Sequence, residues 1–124
     1  MAHLANDLAV TLPEDRPGML AKAISALGNA GISLEGHAEM EGVVHVLTAD
    51  VTAARRALND AGFRVVTEVQ VVLAPVDDHP GAAARIFQRI AEAKLNVRFS
   101  YLATRNRLVI STDDVQAALK ALES

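Results

Sequence analysis

The sequence predicts an α+β fold of two ferredoxin-like βαββαβ repeats, the second lacking its last strand, with antiparallel sheets and helices on one face. Three observations carry this. Asp15-Arg16-Pro17-Gly18 recurs as Asp78-His79-Pro80-Gly81 sixty-three residues later. After each copy the apolar pattern changes in the same order, from a helical period to a strand period. The chain has 124 residues, 51% of them apolar, which suffices for a core but is short for two separately stable domains.

The repeat extends well beyond the four-residue motif. At the same offset Ala21-Lys22 meets Ala84-Arg85, Leu27 meets Ile90, and Ile32-Ser33-Leu34 meets Leu95-Asn96-Val97. One further residue of shift brings Val51-Thr52-Ala53-Ala54 onto Val115-Gln116-Ala117-Ala118. Two units are too few for a solenoid, so a duplicated small domain is the reading.

Taken in order, Leu8 to Leu12 is a short apolar strand. Pro17 stands near a helix start, where its missing N–H costs nothing. Leu20, Ile24 and Leu27 then form an apolar stripe that ends at Asn29-Ala30-Gly31. From Ile32, apolar and polar residues alternate as in a half-buried strand. Met40-Glu41-Gly42 is a turn, and Val43 to Thr48 a returning strand. Asp50 caps a second helix whose stripe is Val51, Ala54, Leu58 and Ala61, ended by Gly62.

Phe63 to Ala74 has no Gly or Pro and is about twice a usual strand length. It reads as the last strand of the first repeat running into the first strand of the second. The predicted division is therefore 1–68 and 69–124, with a rigid junction through 63–75. Helix 80–94, strands 96–103 and 107–111, and helix 113–122 follow. A second repeat without its closing strand leaves an open edge, and a homodimer is expected from it.

Composition excludes several function classes. Net charge is −3, from 12 basic and 15 acidic residues, with no basic stripe for nucleic acid. Aromatic residues make up 3% and cysteines are absent, so stacking platforms are scarce and thiolate chemistry is excluded. The N-terminus lacks the features of a signal peptide, and no apolar run approaches a membrane span. A cytoplasmic protein without a cofactor is expected.

The repeated segment joins a strand to a helix. Gly18 and Gly81 open the backbone to close approach. The N–H groups of residues 18–20 and 81–83 lack intrahelical partners and lie at the positive end of the helix dipole, where a small carboxylate fits. Asp15 and Asp78 can face a ligand ammonium, so the two poles suit a free amino acid. The same residues also suit an ordinary helix cap and turn, and spacing alone does not separate the two readings.

Leu12-Pro13-Glu14-Asp15-Arg16-Pro17-Gly18-Met19-Leu20, with Ala30-Gly31-Ile32-Ser33 beyond the helix, resembles the opening of an ACT domain, the regulatory module that binds amino acids in enzymes of amino-acid metabolism. The resemblance covers nearly the whole chain twice, from about Leu8 to Phe99 and more loosely to Leu122. It implies a ligand held between the strand–helix loop of one unit and the start of the second strand of its neighbour. One implied site uses Asp15, Arg16, Gly18, Met19 and Leu20 with Asn96 and Val97. The other uses Asp78, His79, Gly81, Ala82 and Ala83 with Ser33 and Leu34. The chain departs from the family in having Asp at 15 and 78 and Ser at 33, where Asn is frequent. Only Asn96 keeps the amide.

The implied function is non-catalytic: regulation by an amino acid or similar small carboxylate, read by a partner enzyme of amino-acid metabolism. The alternative is an assembly module without a ligand. No catalytic motif of a hydrolase, phosphate-binding loop or zinc protease is present. For a metal, His37 and His45 would share a face only if the intervening loop has three residues; two or four place them on opposite faces. No metal is expected. His3 falls in a poorly ordered tail. The pairs Arg55-Arg56 and Arg105 with Arg107 read as solvated surface. Tyr101 is expected on the face of Val97 and Phe99.

Overall fold

The computed structural model describes residues 1–123. Ten elements run β1 (His3–Thr11), α1 (Met19–Asn29), β2 (Gly36–Met40), β3 (Val43–Leu47), α2 (Val51–Asp60), β4 (Arg64–Pro75), α3 (Ala82–Glu92), β5 (Val97–Ala103), β6 (Arg107–Thr112) and α4 (Val115–Ala121). The chain divides into two compact units, Asn6–Val69 and Met1–Ala5 with Gln70–Ser124. The predicted order of elements holds, and β4 is the single long strand expected across the junction.

In the unit Asn6–Val69, β3 lies between β1 and β2, antiparallel to both. Leu8 faces Val46 and Val10 faces Val44, which puts four β-sheet residues on one face under α1 and α2. They join Met19, Ala23, Leu27, Ala54, Leu58 and Phe63 in one buried cluster. The buried stripe of α1 is Met19, Ala23 and Leu27, one residue round from the predicted Leu20–Ile24 line. Small Ala23 and Ala54 face the core where the helices pack. Burying a side chain such as Leu27 or Leu58 contributes about 1.5–3 kcal/mol.

The opposite face of this sheet is also closed to solvent at Asp7, Ala9 and Leu47. Asp7 is a wholly buried carboxylate, and His45 Nδ1 lies 2.8 Å from its Oδ2. Antiparallel register explains the meeting: His45 is opposite Ala9, two residues from Asp7 on the same face. Residues 40–43 make a two-residue hairpin, with Met40 opposite Val43 and positive φ at Glu41 (53°) and Gly42 (81°). His37 is therefore opposite Val46 while His45 is opposite Ala38, and the two imidazoles point to different faces.

In the second unit β6 lies between β4 and β5. Val72, Ala74, Ile90 and Ala118 form the core, with Leu95, Val115, Leu119 and Leu122 packed against it. Ala2 and Leu4 pack there too. This corrects two expectations. His3 is not in a loose tail but opens β1, and the second repeat is not left to its own residues, because Met1–Ala5 belong to it. Asn6 and Asp7 interrupt the apolar pattern, which hides the first residues of β1 from the sequence.

A bulge in β5 corrects a third expectation. Phe99 pairs with Ser111, but Val97 pairs with Thr112, so one extra residue is accommodated between them. Val97 therefore leaves the face shared by Phe99 and Tyr101, whose rings stack 6.3 Å apart.

Candidate functional site

Both repeats contain two kinds of helix start. α2 and α4 are capped by aspartates: Asp50 Oδ1 accepts from the Ala53 N–H at 3.0 Å, and Asp114 Oδ1 from the Ala117 N–H at 3.1 Å. α1 and α3 instead begin at Gly18 and Gly81, with φ of 92° and 90° and no side-chain cap. The capping alternative for Asp15 and Asp78 is thereby removed. Each first turn is held by backbone alone, Lys22 N–H to Gly18 O at 2.9 Å and Arg85 N–H to Gly81 O at 3.0 Å.

Glycine is required at 18 by its backbone angle and not by crowding, since a Cβ there would have no atom within 4 Å. A left-handed residue turns the chain sharply into the helix and leaves open space before it. That space is part of a cavity of about 670 Å³, well inside the range of small-molecule sites.

The cavity is lined by Leu12, Glu14, Asp15, Arg16, Pro17, Gly18, Met19 and Leu20, and by Glu39, Glu41 and Gly42 of the β2–β3 hairpin. Asp15, Arg16, Gly18, Met19 and Leu20 thus line one cavity. The hairpin residues were missed. Only the hairpin register could have found them: Gly42 O accepts from the Leu12 N–H at 2.7 Å, which draws the hairpin tip to the loop. Among the lining residues, four carboxylates stand against one guanidinium, and Arg16 is paired with Glu14 at 2.7 Å. That exposed pair contributes at most about 1 kcal/mol to stability.

The second motif repeats the backbone geometry with different side chains. Ala82 N–H donates to His79 O at 3.2 Å, as Met19 N–H does to Arg16 O at 3.4 Å. The His79 Nδ1–H donates to Pro80 O at 3.1 Å, and its Nε2 is 3.8 Å from Asp77. Asp78 and His79 are exposed, Ala82 is buried and Ala83 half-buried.

The remaining predicted residues lie at the starts of the second strands. β2 begins at Gly36, so Ser33 and Leu34 are in the preceding loop, not in the predicted strand. Leu34 packs against the core of its own unit. Ser33 lines a smaller cavity of about 290 Å³ with Glu35 and Asp50. The Asn96 N–H donates to Asp113 Oδ1 at 3.1 Å, and Val97, turned by the bulge, is 40% exposed. Among the described residues no group of three or more His, Asp or Glu is placed to hold a metal, and no helix is long and apolar enough to cross a membrane.

No family model matches the sequence, and no curated protein matches it. Solved structures do. Protein BT0572 from Bacteroides thetaiotaomicron is 25% identical, covering 98% of this chain and 88% of that one, with a TM-score of 0.83. The ligand-free regulatory subunit of aspartate kinase from Thermus thermophilus is 19% identical, covering 98% and 93%, with a TM-score of 0.67. E. coli aspartokinase III in complex with lysine and aspartate is 15% identical, with a TM-score of 0.60, and this chain covers 31% of it. The fold of this chain is the tandem ACT-domain fold that its repeated Asp-x-Pro-Gly motif resembles.

Proposed function

We propose that this chain is a non-catalytic regulatory protein that binds a free amino acid, or a similar small carboxylate, at the Asp15–Leu20 loop. The observation that carries the reading is the uncapped start of α1 at left-handed Gly18, opening onto a cavity of about 670 Å³. The Met19 N–H is held by Arg16 O, so the ligand carboxylate takes the N–H groups of Gly18 and Leu20 beside it, and Asp15 faces its ammonium. The surrounding Glu14, Glu39 and Glu41 disfavour a second negative charge, so neutral and basic amino acids bind better than acidic ones. Following the family resemblance, Asn96 and Val97 serve this ligand, and Asp78, His79, Gly81, Ala82 and Ala83 with Ser33 and Leu34 serve a second.

The similar aspartate kinase structures include a regulatory subunit and a complex with lysine and aspartate, which supports a regulatory amino-acid role here. A partner enzyme of amino-acid metabolism, in the cytosol, would read the bound state. Thermal-shift and calorimetric titration across the free amino acids test the reading. A ligand at a hundred times its Kd stabilises by about 2.7 kcal/mol. If no amino acid at millimolar concentration shifts the melting temperature, the ligand reading falls and the assembly-module reading takes its place.

A further inference from the structure

We propose that the cavity beside Ser33 is a binding site for a small α-amino acid whose carboxylate takes the Ser33 N–H. The proposal shares Ser33 with the second ligand position given above and rests on that reading for nothing else. Every residue lining this cavity belongs to the unit Asn6–Val69. Ser33 and Gly18 flank opposite ends of the 11-residue α1, so the two cavities lie about 16 Å apart along its axis.

The internal repeat shows what the position accepts. At the counterpart of Ser33, the Asn96 N–H donates to Asp113 Oδ1 at 3.1 Å. The counterpart of Asp113 is Ala49: each directly precedes the aspartate that caps the following helix, Asp114 or Asp50. Alanine has no carboxylate to offer the Ser33 N–H. Two further differences accompany this one. β5 begins at Val97, the counterpart of Leu34, whereas β2 begins only at Gly36. Thr112 Oγ1 accepts from the Asp114 N–H at 3.3 Å, but its counterpart Thr48 has a buried Oγ1 without a partner. Such orphaned hydroxyls are rare and mark a place where a polar partner is missing.

Where the carboxylate is missing the surface opens into the cavity of about 290 Å³, lined by Ser33, Glu35, Ala49 and Asp50 among others. That volume is at the lower end of small-molecule sites. Glu35 and Asp50 repel a plain anion and favour a ligand that carries an ammonium beside its carboxylate. A glycine-sized zwitterion meets both conditions.

Amide NMR titration of the full chain with glycine, followed at Ser33, tests the site. The Ser33 amide shifts and saturates at about 1–10 mM, the range for so few ligand atoms. Ala49→Asp, at an exposed position, supplies the carboxylate internally and weakens glycine about tenfold or more. Asp113→Ala opens the counterpart position, and acetate then shifts the Asn96 amide, which it leaves unmoved in the parent. An unmoved Ser33 amide, undiminished glycine binding in Ala49→Asp, or no response of Asn96 to acetate in Asp113→Ala overturns the proposal. Gly18→Glu and Gly81→Glu leave the Ser33 titration unchanged. Loss of it in either variant assigns the signal to the Asp-x-Pro-Gly loops and overturns the separate site. A Ser33 response that survives both, beside amides of residues 18–20 and 81–83 that ignore every amino acid, removes the loop reading and keeps this one.

Discussion

Replacing Gly18 and Gly81 by alanine, separately, should cost the same stability at both sites although the surrounding side chains differ. The backbone is nearly identical, φ 92° and ψ −11° at Gly18 against φ 90° and ψ −12° at Gly81. A Cβ at either position has no atom within 4 Å, so no packing clash contributes. What remains is the penalty of holding an L-residue at positive φ, about 1–2 kcal/mol. For a chain of this length that is a fall in melting temperature of about 4–8 °C. Differential scanning calorimetry with a circular-dichroism melt on each variant is the assay. A loss at one glycine and none at the other would refute the reasoning, because it would mean that side-chain surroundings and not backbone angle set the requirement. Glutamate at the same positions adds a second test. Gly18→Glu places a fifth carboxylate in the first cavity and abolishes amino-acid binding there, while retained affinity in both Gly18→Glu and Gly81→Glu locates the ligand elsewhere.

Further outcomes follow from the same geometry. Asp50→Ala and Asp114→Ala each lose about 1 kcal/mol in chemical denaturation, since each removes a cap bond; Asp15→Ala and Asp78→Ala, which cap nothing, stay within about 0.5 kcal/mol of the parent. His45→Ala strips a partner from the wholly buried Asp7 carboxylate, and urea unfolding should show a loss of about 2–4 kcal/mol. Leu58→Ala opens a cavity beneath two helices and loses about 2–5 kcal/mol by the same measurement. In isothermal titration, Glu39→Gln combined with Glu41→Gln weakens basic amino acids relative to acidic ones if the hairpin sets the cavity's charge preference.

Much of the architecture was readable along the chain because it is governed by rules that act within about one helical turn. Asp50 announced α2 by residue type and position, and its cap bond is present. The unbroken Phe63–Ala74 run announced β4, found as Arg64–Pro75. What failed was register. The turn at Met40-Glu41-Gly42 is legible in the sequence but its length is not, and the two-residue loop decides that His37 and His45 diverge. The bulge before Phe99 likewise turned Val97 away from the face that simple alternation assigned to it. The burial of Asp7 is not legible in the sequence, because a carboxylate marks an exposed position until a partner on another strand is known.

The sequence by itself determined the duplication, the order of elements in each repeat, the aspartate-capped second helices and the Asp-x-Pro-Gly loops before the first. Those features depend on neighbours in the chain, where propensity, capping and periodicity operate. Only the tertiary structure decided that Met1–Ala5 pack in the unit whose other residues begin at Gln70, and that the β2–β3 hairpin lines the cavity beside Gly18. It alone paired Asp7 with His45 across two strands. Each of these joins residues far apart in sequence, and such contacts are set by strand register and by which apolar face finds cover, quantities that no local pattern encodes.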